Sequence, residues 1–220
     1  MPRFAEGVVR FQNDVFPQKK KLFERLSLGQ SPEALFVTCS DSRIETAMLT
    51  QTGPGDLFVC RNAGNIVPPH TTHTGGMTAS IEFAVAVLKV PHIVICGHTE
   101  CGAMKGAMNP EGLDGLPHVR EWLSYSRAAV EVVRERGANE DDDARMSMLL
   151  EQNVVLQLQH VRTHPAVAVA LAKGELELHG WVYDIRIGQV RAFDRASETF
   201  KPVTESYPAE LAAAASNCST

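Results

Sequence analysis

An α/β fold with a mainly parallel central sheet flanked by helices, an N-terminal helical arm and a late C-terminal hairpin is predicted by two features of this 220-residue sequence. Residues 34–38, 57–60 and 92–96 are short apolar runs bounded by Gly or Pro, and none alternates as a half-exposed strand would. Helix-patterned segments separate them. Continuous apolar strands interleaved with helices indicate a parallel sheet covered on both faces.

The elements follow in order. Phe4, Val8, Phe11, Val15 and Phe16, then Leu22, Leu26 and Leu28, recur at broadly helical spacing, and Gly29 and Pro32 close an arm taken as residues 1–30. After the first strand, 44–50 fits a short helix. The Ala/Val-rich segment 78–88 is expected to be a buried helix leading into the third strand. Gly102 opens a small-residue helical turn to Met108, followed by a Pro/Gly-rich stretch to Pro117. Residues 121–137 and 146–163 read as amphipathic helices separated by an acidic loop at 139–143. His164-Pro165 starts a further helix that ends near Lys173-Gly174. Residues 178–187 and 189–193, with Gly188 between them, form the expected hairpin. The small, polar segment from 212 to 220 reads as a frayed tail. No repeat and no second boundary interrupts the chain, so 1–220 is expected to be a single domain.

Composition narrows the function. A chain that is 44% apolar and 21% charged is that of a globular protein. The net charge of −5 and the lack of a basic run argue against nucleic acid, and Lys19-Lys20-Lys21 reads as a solvated helix face. No segment approaches the roughly 18 apolar residues of a membrane span. Met1-Pro-Arg-Phe-Ala-Glu6 lacks the apolar core of a signal peptide. The five cysteines (Cys39, Cys60, Cys96, Cys101 and Cys218) are odd in number and show no scaffold spacing. They read as free thiols, so a cytoplasmic location is expected, or an organelle stroma after removal of a transit peptide.

The chemistry concentrates in Cys39-Ser-Asp-Ser-Arg43 and His98-Thr-Glu-Cys101. Cys39 falls at the C-terminal end of one predicted strand and His98 just past the end of another. In open α/β sheets that edge forms the binding crevice. Cys39, His98 and Cys101 together make a soft donor set suited to zinc, and three protein ligands leave a fourth position open, the mark of a catalytic site. Arg43 can supply positive charge and orient Asp41 through a bidentate pair. Asp41 can then steer whatever occupies the fourth position, or swing onto the metal as a fourth ligand and close it. Either motif alone reads as a buried Cys near an ion pair or a stray His. Cys96, the one nearby candidate for a closed site, lies inside an apolar strand and reads as core, as does Cys60. His70, His73, His92, His118, His160, His164 and His179 show no ligand spacing and read as surface or capping residues. Glu100 reads as solvent-facing. Gly75, Gly76 and Gly102 read as flexible backbone, though the Gly102 N–H, next to a ligand, can also face the site.

With these residues in view the sequence resembles the β-class carbonic anhydrases over most of its length. Leu35-Phe-Val-Thr-Cys-Ser-Asp-Ser-Arg43, Gly55-Asp-Leu-Phe-Val-Cys-Arg-Asn62, Ile81-Glu-Phe-Ala84 and Ile95-Cys-Gly-His-Thr-Glu-Cys-Gly102 follow that family's blocks in order. The resemblance implies one Zn2+ per chain on Cys39, His98 and Cys101, with Asp41 and Arg43 as a catalytic dyad. It implies reversible hydration of CO2 to bicarbonate and a proton by hydroxide on the zinc. Gln30 matches the glutamine whose amide holds the substrate, and Phe58 matches an aromatic pocket wall. Phe83 stands where many members have Tyr and Ala63 where some have Val; Gly102 completes the expected substrate-binding set. Phe36 replaces the Trp of the family's allosteric branch although Arg61 is present, which places the chain with the plant-like, open-zinc branch and leaves Arg61 to a structural salt bridge. A homodimer or dimer of dimers is implied, with the arm wrapping its neighbour. Three rivals remain open from sequence: a hydrolase of another linear molecule such as CS2, a non-catalytic zinc or bicarbonate binder, and a metal-free α/β binding domain.

Overall fold

The computed structural model describes residues 2–72 and 74–208. His73, Cys218 and the expected tail from residue 212 lie outside them. The arm begins with α1 (Arg3–Arg10), continues through a π-helical turn (Phe11–Val15) and a 3-10 turn (Pro17–Lys19), and ends in α2 (Lys20–Leu26). Phe11, Phe16 and Phe23 cluster within it at ring-centroid distances of 5.4–6.1 Å. α1 buries none of its residues, leaving Phe4 and Val8 exposed.

Next come β1 (Ala34–Cys39), α3 (Thr46–Thr50), β2 (Leu57–Asn62), α4 (Gly76–Glu82) with a π-helical continuation (Phe83–Val87), β3 (His92–His98) and α5 (Gly102–Met108). The Pro/Gly-rich stretch holds a 3-10 turn at Pro110–Leu113. The helix expected at 121–137 is two, α6 (Pro117–Leu123) and α7 (Arg127–Arg136), joined by a 3-10 turn at Ser124–Ser126. Pro117 starts α6 earlier than the apolar pattern suggested, because a proline suits the first helical turn. The expected acidic loop is also corrected. The Asp141 side chain accepts from the Ala144 N–H as an N-cap, and Asp142 and Asp143 form the first turn of α8 (Asp142–Arg162), where carboxylates favour the helix dipole.

The chain closes with α9 (Pro165–Ala172), β4 (Glu177–Asp184), β5 (Gln189–Asp194), β6 (Thr199–Pro202) and the short α10 (Val203–Ser206). The sheet has six strands in the order β2-β1-β3-β4-β5-β6. β1, β2, β3 and β4 pair parallel, while β5 and β6 run antiparallel at one edge. The expected hairpin therefore exists, but its first strand joins the parallel sheet beside β3, and a third strand extends it. β6 was not anticipated. Its four residues offer too few side chains for a period to register.

Alternation along β1 and β3 divides the core. Leu35, Val37, Ile93 and Ile95 face the larger cluster, which is completed by Leu149, Val154, Leu158 and Val161 of α8. Ala34, Phe36, Val94 and Cys96 face a smaller cluster on the other side, backed by Leu49, Trp181 and Tyr183. Coverage of the sheet is thus two-sided, as expected, but unequal. α8 approaches β3 and β4 closely at two glycines. A Cβ at Gly97 would lie 3.1 Å from Val154 Cγ2, and one at Gly180 would lie 2.8 Å from both Val154 Cγ1 and Leu158 Cδ1. Glycine there lets a backbone sit against the helix.

Gly180→Ala is accordingly expected to overpack this seam, because Val154 is β-branched and stiff. The loss should be about 1–3 kcal/mol, read as a lower denaturant midpoint with an unchanged slope; wild-type stability in that variant would refute the account.

Candidate metal centre

The order β2-β1-β3 reverses direction at β1, so the carboxyl ends of β1 and β3 flank a topological switch point, where α/β sheets form their sites. Cys39 is the last residue of β1 and His98 the last of β3. Cys101 follows after a tight turn through Glu100, which takes a left-handed φ of 59°, and stands at the N-cap of α5. The three side chains, from two distant segments of the sequence, are all buried, and their ligand atoms lie within 4.8 Å of one another.

The donor set fits a metal. Cys39 Sγ and Cys101 Sγ are 3.9 Å apart, close to the separation of about 3.8 Å that two sulfurs about 2.3 Å from a tetrahedral zinc would have. The Cys101 thiol hydrogen-bonds to Cys39 and holds it down to about 4 against the opposing effect of burial, with the Gly64 N–H adding to the pull. That shared bond, burial and the Cys39 charge push Cys101 up. Without a cation, then, the pair keeps one proton between them. His98 Nδ1 donates to the Thr99 carbonyl at 2.8 Å, leaving its Nε2 buried with no hydrogen-bond partner. An imidazole fixed in that tautomer, with a bare nitrogen aimed at two sulfurs, is arranged as a metal ligand is.

The Asp41–Arg43 pair adjoins this cluster. Arg43 Nε donates to Asp41 Oδ1 at 2.9 Å and Nη2 donates to Oδ2 at 2.7 Å. The Arg43 backbone N–H also reaches Oδ1, at 3.0 Å. This guanidinium holds the Asp41 carboxyl well below the usual carboxylate range. Asp41 Oδ2 stands 3.9 Å from His98 Nε2. Arg43 Nη2 donates further to the Glu100 carbonyl at 2.9 Å, tying the pair to the turn that carries His98 and Cys101. Arg61 is corrected from a salt bridge: it donates to the carbonyls of Cys39 and Asp41, at 3.0 and 2.7 Å. Cys96 faces the smaller core cluster, and burial pushes its thiol up to about 12, so it does not join the ligands. The Glu100 carboxylate pairs with Lys105.

Residues that sequence reasoning missed hold the loop after β2. Gly64, at φ 84°, donates its N–H to Cys39 Sγ at 3.4 Å. Its carbonyl accepts from Asn153 Nδ2 at 3.1 Å, and Asn153 is fixed in turn by Ser126 and Gln157. Gln157 accepts the Val67 N–H, while the His160 and His164 rings donate to the carbonyls of Val67 and Pro68. Burial lowers the pKa of both rings, favouring the neutral form this role uses. The only local signal was the recurrence of polar residues every three or four positions on an otherwise apolar helix.

Of the expected pocket residues, Phe58 and Phe83 meet, with ring centroids 6.0 Å apart. Ala63 is exposed and its carbonyl accepts from Trp122 Nε1 at 2.9 Å. Gly102, also exposed, opens α5 directly after Cys101. Gln30 lies on the surface of the single chain.

A mainly parallel α/β sheet with a three-donor soft-ligand cluster at its switch point is the arrangement of an enzyme with a candidate metal centre. The sequence matches the family described as carbonic anhydrase over residues 34–190. It is 48% identical over 205 residues to a carbonic anhydrase of Pseudomonas aeruginosa, covering 93% of each chain. It is 45% identical over 203 residues to carbonic anhydrase 1 of Escherichia coli O157:H7, covering 92% of each. Among solved structures, the β-carbonic anhydrase CcaA superposes with a TM-score of 0.88 at 39% identity, over 91% of this chain and 90% of that one. A tetrameric β-carbonic anhydrase of Sordaria macrospora gives 0.74 at 33% identity, over 86% and 93%. The chain belongs to the carbonic anhydrase family, in its β class.

Gly64→Ala is expected to disturb the centre from outside it. The new Cβ would lie 2.8 Å from Met104 Cε and force an L side chain into the left-handed region. Stability should fall by about 1–3 kcal/mol, and bound metal should be lost to a chelator faster than from wild type. Unchanged chelator kinetics would show that the Gly64 N–H does not support Cys39.

Proposed function

We propose that this chain hydrates CO2 reversibly to bicarbonate and a proton, using one zinc ion held by Cys39, His98 and Cys101. The observation that carries the reading is an open three-donor set beside an ionised carboxylate: Asp41 Oδ2, held by Arg43, 3.9 Å from the unpartnered His98 Nε2. Zinc, when bound, lowers the pKa of its water toward about 7, an effect for which carbonic anhydrases are the standard example. Asp41, whose carboxyl Arg43 holds well below the usual carboxylate range, would accept a hydrogen bond at Oδ2 and so orient whatever occupies the open position. Arg43 fixes the carboxylate plane through its two parallel bonds and offsets part of the negative charge of the thiolates. Phe58 and Phe83 would supply an apolar wall, with Ala63 and Gly102 at the rim, in a pocket shared with a neighbouring copy, since Phe58 pairs with Leu35, four strand residues back from Cys39. The Gln30 amide would hold a substrate oxygen in the same pocket.

The open-zinc, plant-like branch is part of this proposal. Phe36 is buried edge-on to Trp181, with ring centroids 5.9 Å apart, and Arg61 is engaged with backbone carbonyls. Neither supports an effector pocket. A homodimer or dimer of dimers is proposed from the exposed apolar side chains of α1, which a single copy leaves in water. A single domain in a cytoplasmic or stromal compartment is proposed too, supported by the unpaired thiols of Cys39, Cys60, Cys96 and Cys101. No described helix is long and apolar enough to cross a membrane.

Stopped-flow CO2 hydration with a parallel zinc count tests the mechanism. Asp41→Ala should retain zinc and lose about 100-fold or more in kcat, and Arg43→Lys should fall between it and wild type because a point charge cannot make the paired bonds. Wild-type hydration by zinc-loaded Asp41→Ala would overturn the role of Asp41, and CS2 turnover exceeding CO2 hydration would overturn the substrate. Light scattering should find the wild type associated at micromolar concentration, and Phe4→Asp with Val8→Asp should shift it toward smaller species; a monomeric wild type would refute the arm's role.

A further inference from the structure

We propose that His92, Glu177 and His179 form a second metal site, at the end of the sheet away from the cysteine centre, which takes a divalent transition ion of the zinc, cobalt or nickel class. His92 opens β3 and is the register partner of Glu177 in β4, and His179 lies two residues further along the same face of β4. The three donors lie within 4.8 Å of one another. His92 Nδ1 and His179 Nε2 are 3.2 Å apart, near the separation of about 3.3 Å expected for two nitrogens about 2.0–2.1 Å from a tetrahedral ion. Glu177 Oε2 is 3.8 Å from each of these nitrogens. That is beyond hydrogen-bonding range but equidistant from both, as a third ligand converging on one ion would be.

The surroundings suit an ion. His179 Nδ1 lies 3.0 Å from the Tyr207 hydroxyl, an outer partner of the kind that fixes a ligating ring and its tautomer. A cavity of about 420 Å³, lined in part by Glu177, His179, Glu205 and Tyr207, adjoins the cluster and leaves room for water to complete the coordination. Two imidazoles and one carboxylate leave a bound divalent ion with one net positive charge, in a chain of net charge −5. The set contains no sulfur, so it selects for borderline ions that accept nitrogen and oxygen. Glu177 is largely exposed and His92 about half exposed, so exchange with solvent should be faster than at the buried thiolates. The competing account is a direct hydrogen bond between the two rings, with Glu177 in ion-pair range of both. This inference does not depend on the proposed catalytic reading.

Cobalt titration of the metal-free full chain tests it, because the two centres differ in spectrum. A thiolate centre gives intense sulfur-to-cobalt charge transfer, whereas a nitrogen–oxygen centre gives only weak visible bands. Wild type should take up two equivalents per chain, the later one without charge transfer. His92→Ala and Glu177→Gln, both at accessible positions, should each weaken that later equivalent by at least about tenfold while the charge-transfer band stays intact. Saturation of wild type at one equivalent, or a second equivalent that binds equally well to both variants, would overturn the site and leave a hydrogen-bonded histidine pair only.

Discussion

Two buried sulfurs in contact and an imidazole nitrogen with no hydrogen-bond partner are ill matched without a cation, and the sheet holds them together all the same. The Cys39–Cys101 contact keeps one proton where two thiolates are wanted, and His98 Nε2 has no donor to accept from. A divalent ion resolves both at once. Holding such a cluster together in its absence requires rigid walls, and parallel pairing of β1 with β3 supplies them. The register that matches Thr38 with Cys96 brings the last residue of β1 alongside the end of β3. A slip of one residue would turn Cys39 to the other face of the sheet.

α8 extends that rigidity to the loop after β2. One side of the helix packs Val154 and Leu158 against the glycines of β3 and β4, and its polar positions, Asn153, Gln157 and His160, bind the loop that presents Gly64 to Cys39. Buried polar groups are costly unless paired. Here Ser126, Asn153 and Gln157 bond one another as well as the loop, so the network specifies a single loop position rather than merely tolerating burial. The same helix thus sets both core packing and the surroundings of a sulfur.

The candidate ligand set was legible because chemistry-bearing residues at strand ends announce themselves by type and local spacing, as in Cys39-x-Asp-x-Arg43 and His98-x-x-Cys101. Helix 142–162 was legible for a similar reason, since its period is long enough to repeat. What stayed hidden depends on pairing across the chain. Asn153 and Gln157 are unremarkable polar residues until the loop at 64–67 is folded against them. His92 and His179 lacked ligand spacing because their neighbourhood is created by the parallel register of β3 with β4. The Asp141 cap was concealed within an acidic run that composition alone assigns to a loop, although an Asp preceding a helical period is itself a start signal.

The proposed dyad is joined to the ligands more firmly than its motif suggests, and this bears on whether Asp41 rests on or off the metal. Arg43 Nη2 bonds both Asp41 Oδ2 and the Glu100 carbonyl, and Glu100 lies in the strained turn between His98 and Cys101. Arg61 meanwhile holds the Asp41 carbonyl and that of Cys39. Swinging the carboxylate onto the metal would therefore break two charge-assisted bonds and leave a guanidinium attached to the ligand turn with its counter-charge withdrawn. Half of Arg43 is in water, which softens that cost without removing it. With the Asp41 carboxylate and the carbonyl of a left-handed turn both bound to one guanidinium, these bonds support the proposal of a carboxylate that stays beside the candidate metal site.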